Sequence, residues 1–137
     1  IGKCVYELSY RGFESHYLRR LNEMRKFIYK ICTSSEWSNF KKNEKFFGSK
    51  QDLVDGYIHL SNKNQIQATL KKHYYNKSKL ILLKVKTASL KNLIWEKSTE
   101  GKLFPHLYSY IKLKDIKKNF KISLKKNGLH YLSDFER

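Results

Sequence analysis

The sequence predicts an α+β protein with a mainly antiparallel sheet. Two observations carry this. Short segments rich in β-branched and aromatic residues, separated by turn signals, outnumber segments with helical spacing. The apolar run at residues 80–83, within "KLILLKVKT", also marks one strand as central and buried on both faces.

The elements follow in order. "FIYKIC" is a strand. "TSSEWSNFKKN" is a short helix, with Thr33, Ser34 or Ser35 as N-cap and Trp37 and Phe40 three apart on one face. "KFFGSKQDLVDG" reads as loop or turn, punctuated by Gly48 and Gly56. "YIHLS" is the next strand. Ser61 or Asn62 can cap a second helix, "KNQIQATLKKHYYN", where Ile66, Leu70 and Tyr74 recur every four residues beside His73. "KLILLKVKT" and "LIWEKS" are strands. "STEGKLFPHLYSYIKL" turns at Gly101 and holds the only proline, Pro105. "DIKKNFKISLKK" is the last strand region.

The length of 137 residues suits one domain, and 40% hydrophobic with 15% aromatic content supports a packed core. Residues 1–23 read as a separate extension and residues 24–137 as the globular domain. The extension holds Arg11, Arg19 and Arg20, three of the five arginines. Its "GFESH" can be encoded by a sequence containing TTCGAATC, which resembles the T-arm of a transfer-RNA gene. The expectation is a start misplaced upstream of Met24; the alternative is an amphipathic helix over "YLRRLNEMRKF".

The longest apolar run is far too short to span a bilayer. No charged segment followed by an apolar one marks a secretory signal, and Cys4 and Cys32 lack metal or redox spacing. A cytoplasmic protein with free thiols is expected, without a membrane partner. The net charge of +17 suggests a polyanion. However, lysines supply 24 of the 29 basic residues and lie scattered, without the arginine clusters of bidentate phosphate recognition. Many Ile, Asn and Tyr codons point to an AT-rich coding sequence, so a solvated lysine coat is the favoured reading.

No H-x-x-H or H-x-x-x-H pair occurs, and no metal site is expected. Cys32 has no local base and reads as a buried thiol rather than a nucleophile. Two polar-aromatic clusters stand out. In "DGYIHLS", alternation places Tyr57, His59 and Ser61 on one strand face, either a pocket wall or a solvated face. "WEKSTEGKLFPHLYSY" gathers Trp95, Glu96, Phe104, Pro105, His106 and Tyr108. A carboxylate beside an apolar ring, if desolvated, would have a raised pKa and serve as a general base. The alternatives are a core tryptophan with a solvated glutamate and a histidine bonded to a carbonyl.

The order "IYKIC…W…FFGS…DLVDGYIHLS…HYY…LILLKV…WE…LFPHLY" resembles the family named domain of unknown function 952, over nearly everything after Met24. The matching positions are Tyr29, Asp55, Gly56, His59, Ser61, Trp95, Glu96, Pro105, His106 and Tyr108. The resemblance implies a fold similar to the ADP-ribosyltransferase superfamily, in which a split antiparallel sheet grips NAD. "YIHLS" and "LILLKV" also resemble the RNA 2′-phosphotransferase branch. Where that superfamily often has Tyr-His-Gly-Thr, this chain reads Tyr29-Lys30-Ile31-Cys32. The resemblance implies NAD or a related nucleotide as ligand, with ADP-ribosyl or phosphate transfer as the chemistry of an enzyme. His59, Glu96 and His106 would be catalytic, and Tyr29, Tyr57, Ser61, Trp95 and Tyr108 would contact the cofactor. The competing expectations are a noncatalytic RNA-binding module, with Tyr74, Tyr75 and Tyr110 as stacking rings, and a protein-interaction module.

Overall fold

A computed structural model describes residues 15–132. Residues 1–14 of the expected extension, including Cys4, lie outside the described residues. Its remaining residues fall in a helix, α1 (15–24), whose side chains are almost all exposed. Directly after it, the Arg25 guanidinium lies 4.3 Å from the centroid of the Trp95 ring.

The expected α+β class with antiparallel pairing is present. The elements are β1 (Phe27–Thr33), α2 (Ser34–Asn43), β2 (Lys45–Phe46), α3 (Lys50–Asp55), β3 (Ile58–His59), α4 (Ile66–His73), β4 (Leu80–Lys86), β5 (Leu93–Lys97), β6 (Leu103–Leu107), β7 (Ile111–Lys112), β8 (Ile116–Leu124) and β9 (His130–Leu132). They form three sheets, ordered β1-β4-β8-β9, β3-β6-β5 and β2-β7. Among the described residues no helix is long and apolar enough to cross a membrane.

Strand β4 pairs with both β1 and β8, so the apolar run is central as predicted. Its alternate residues serve two cores. Leu83 and Val85 join Ile28, Cys32, Phe40, Phe46, Ile58, Leu60, Leu107 and Ile111. Leu80 and Leu82 join Tyr29, Ile31, Ile66, Leu70, Phe120 and Ile122, with Tyr74 packed against them. The large sheet is thus covered by α4 on one face and by α2 and the smaller sheets on the other. Burial pushes the Cys32 thiol up to about 12, with Glu36 adding and Lys30 opposing, so it is no thiolate nucleophile at neutral pH.

The helix caps follow the sequence. Thr33 and Glu36 form a capping box for α2, and Asn62 and Gln65 form one for the 3-10 turn (Lys63–Gln65) leading into α4. The loop expected over "KFFGSKQDLVDG" is corrected: it contains β2 and the six-residue helix α3. Ser49 caps α3 and Asp52 answers as the third residue. Gly56 closes it at φ 87°, in the left-handed region that glycine enters without a Cβ penalty. The strand expected over "YIHLS" is also shorter. Only Ile58 and His59 pair with β6; Leu60 N–H donates to the Pro105 carbonyl, and Ser61 then bridges to Tyr29 of β1. This short segment therefore passes from one sheet to another.

Candidate functional site

The site is built around one buried carboxylate. Asp52 Oδ2 accepts from the Ser49 N–H at 2.9 Å and from Lys30 Nζ at 2.8 Å. Its Oδ1 accepts from the His59 N–H at 3.2 Å and lies 2.6 Å from His59 Nδ1. Lys30 Nζ also donates to the His59 carbonyl at 3.0 Å. The Lys30 and Asp52 side chains are 3% and 2% exposed. Both charges can be buried there because each is paired and further hydrogen-bonded. Burial alone would raise the Asp52 pKa. The His59 hydrogen bond, the charge and hydrogen bond of Lys30 and the Ser49 amide outweigh it and hold the carboxyl well below the usual range. Three elements, β1, α3 and β3, are joined at this one group.

Asp52 orients His59 by facing its Nδ1, as a carboxylate fixes an imidazole ring. The other nitrogen, Nε2, lies 3.0 Å from Asp55 Oδ2, and the ring is 39% exposed. Asp55 reaches it because α3 ends at Gly56 and the chain turns directly into β3.

Across the ladder, His59 stands opposite His106 of β6, with ring centroids 5.8 Å apart. His106 Nδ1 lies 2.8 Å from Glu96 Oε1, and the Tyr108 hydroxyl donates to the same oxygen at 2.5 Å. Glu96 can meet His106 because Ile94 is opposite His106 on β5, which makes Glu96 its diagonal neighbour on the same face. The raised pKa expected of a desolvated carboxylate is corrected: the Tyr108 and His106 hydrogen bonds outweigh desolvation and lower the Glu96 pKa. In return, Glu96 pushes the Tyr108 phenol up to about 12. Tyr57 closes the cluster. Its ring stacks 4.1 Å from His106 and lies 4.6 Å from His59 and 5.3 Å from Tyr108. Burial raises its phenol first, and Asp55, Glu96 and Asp52 raise it further.

A Tyr108→Phe variant is expected to raise the Glu96 pKa, because the hydroxyl is the largest cause lowering it. Carboxyl-carbon NMR titration would read this. An unmoved Glu96 midpoint would contradict the described hydrogen bond.

The structure brings together His59, Glu96, His106, Tyr57 and Tyr108 of the expected site. It does not bring Tyr29, Ser61 or Trp95 to them. Tyr29 faces the α4 side of the large sheet. Ser61 is buried, with its hydroxyl 3.4 Å from that of Thr69. Trp95 packs into the first core under Arg25. Tyr74, expected as an RNA-stacking ring, is instead packed beside α4, and burial pushes its phenol up to about 12. Sequence reasoning missed Asp52 and the part played by Lys30. The S-x-x-D pattern of "SKQD" is the signal that could have located Asp52 as a helix-capping residue. Among the described residues, no group of three or more His, Cys, Asp or Glu side chains could hold a metal ion.

Chemically, the face offers two carboxylate-anchored imidazoles, a half-exposed Glu96 and Asp55, and aromatic surface. The fold and this arrangement define an α+β protein with antiparallel sheets and a cross-strand pair of acid-bound histidines. The chain belongs to the family described as protein of unknown function (DUF952), whose model matches residues 31–119. It is similar to protein CC0527 from Caulobacter crescentus. The crystal structure of that protein is 37% identical, with 77% of this chain and 93% of that chain covered and a TM-score of 0.73. Its solution NMR structure is also 37% identical, with 76% and 90% covered and a TM-score of 0.68. No curated protein matches the chain.

Proposed function

We propose that the chain binds NAD or a related nucleotide on the Tyr57–His59–His106 face. The observation that carries this is the meeting of His59 and His106 as cross-strand partners, each anchored by a carboxylate, around one tyrosine ring. A chain of net charge +17 here presents two accessible carboxylates, Asp55 and Glu96, beside the histidines. Such a concentration suits a ligand that is positive at one end and anionic elsewhere, as NAD is.

If the chain transfers ADP-ribose, the bond between ribose C1′ and nicotinamide breaks, and its electron pair leaves on nicotinamide. The ribose carbon then carries oxocarbenium-like positive charge until an acceptor nucleophile bonds to it and loses a proton. Fixed carboxylates stabilise developing positive charge. Glu96 and Asp55 are exposed enough to serve, whereas Asp52 is committed to Lys30 and His59. The resemblance to ADP-ribosyltransferases supports the reading. In place of their first-strand histidine this chain has Lys30, which in our account supports His59 from beneath rather than touching ligand.

Calorimetric titration with NAD, ADP-ribose and nicotinamide tests the proposal. NAD is expected to give saturable binding. Folded protein that shows no heat with millimolar NAD contradicts it. Binding of RNA alone, weakening steeply with salt, would favour the noncatalytic RNA-binding reading instead.

A further inference from the structure

Beside the histidine cluster lies an aromatic surface that the cluster does not use. Phe47 follows β2 directly and is 59% exposed. Its ring centroid is 5.2 Å from that of Tyr110. The pairing explains why they meet: Phe46 stands opposite Ile111 in the β2–β7 ladder, and the next step outward sets residues 47 and 110 side by side. Lys45 Nζ lies 5.4 Å from the Tyr110 ring centroid, within cation–π range.

Two short connections tie this surface to the candidate site. On one side, Phe47 is followed by Gly48 and then Ser49, whose N–H donates to Asp52. Gly48 has φ 116°, and a Cβ there would meet the Asp52 Cβ at 2.6 Å. The turn that delivers Phe47 is therefore built against the site's own carboxylate. On the other side, Tyr110 is two residues from Tyr108, which bonds Glu96 and neighbours Tyr57. Two residues of chain span at most about 7 Å. Tyr57 and Tyr108 thus form one ring cluster beside the carboxylates, and Tyr110 and Phe47 form a second beside Lys45, with two residues of chain between them.

We infer that Phe47 and Tyr110 form a second ring-binding platform, which takes the purine base of a dinucleotide whose other half sits at Tyr57, His59 and His106. The inference rests on the nucleotide reading above and gives it a substrate class: two-ring nucleotides over mononucleotides. Aromatic faces accept a base by stacking, without hydrogen-bond readout. Lys45, over the Tyr110 ring, adds a positive charge to the platform.

The test compares NAD with nicotinamide mononucleotide by calorimetry, on the unaltered chain, Phe47→Ala and Tyr110→Ala. Because Phe47 is exposed, its removal leaves both cores intact. NAD is expected to bind more tightly than the mononucleotide. Each variant is expected to weaken NAD roughly fivefold to a hundredfold, the range of one lost stacking contact, and to leave the mononucleotide within about twofold. Equal affinity for the two ligands in the unaltered chain overturns the platform while the nucleotide reading stands. So does a loss in the variants that is equal for both ligands. Absence of binding by either ligand overturns the platform and that reading together.

Discussion

Replacing Asp52 by alanine is expected to cost roughly 3–5 kcal/mol of stability, the usual penalty for removing one partner of a buried ion pair. Lys30 would be left in a site 3% exposed to water, with only the His59 carbonyl to accept from its Nζ. The Ser49 amide and both His59 donors would lose their acceptor as well. For a domain of this size that is a large share of the total. Urea denaturation measures it. The double change Lys30→Met with Asp52→Leu is expected to recover part of the loss, because an apolar pair leaves no uncompensated charge. A cost below about 1 kcal/mol for Asp52→Ala would mean that the pair does not organise the site.

The same group sets a pH dependence. The folded-state pKa of Asp52 lies below its unfolded value. Its contribution is therefore fully present above the unfolded carboxylate pKa of about 3.9 and is lost as pH falls through the folded pKa. Acid should destabilise the unaltered chain more steeply than the double variant below about pH 4. Parallel curves would remove Asp52 from that account.

The second large effect concerns binding. His59→Ala and His106→Ala are each expected to weaken NAD between about tenfold and a hundredfold, the worth of one charge-assisted hydrogen bond. Calorimetry on variants whose amide spectra show an intact fold would measure this. His106→Ala is the cleaner probe, because its ring bonds Glu96 on an edge of the cluster, whereas His59 also holds Asp52. Undiminished NAD affinity in both variants would move the ligand elsewhere on the molecule.

Why was α3 missed when β1, β4 and α4 were legible? The latter bury apolar side chains at regular spacing, and hydrophobic periodicity reads them directly. In α3 the pattern is inverted. Leu53 and Val54 are exposed, and the buried residue is Asp52. A helix that turns a carboxylate inward is invisible to an apolar template. Strands β2 and β7, two residues each, are too short to leave any period. The candidate site divides the same way. His59, Tyr57 and the group Glu96, His106 and Tyr108 stood out because each lies in a compact polar-aromatic stretch. Lys30 and Asp52 are 22 residues apart and join only through the fold. Trp95 is adjacent to Glu96 in the sequence, yet neighbours on a strand point to opposite faces. Tyr29 and Lys30 part in the same way, one toward α4 and the other toward Asp52.

The most direct measurement is a histidine-ring NMR titration with NAD, with the five histidines assigned by single substitutions. The ring signals of His59 and His106 are expected to shift together along one saturation curve while that of His130, buried against the Lys77 carbonyl, stays in place. Shifts confined to other histidines, or none from His59 and His106 at saturating NAD, would contradict binding at that face.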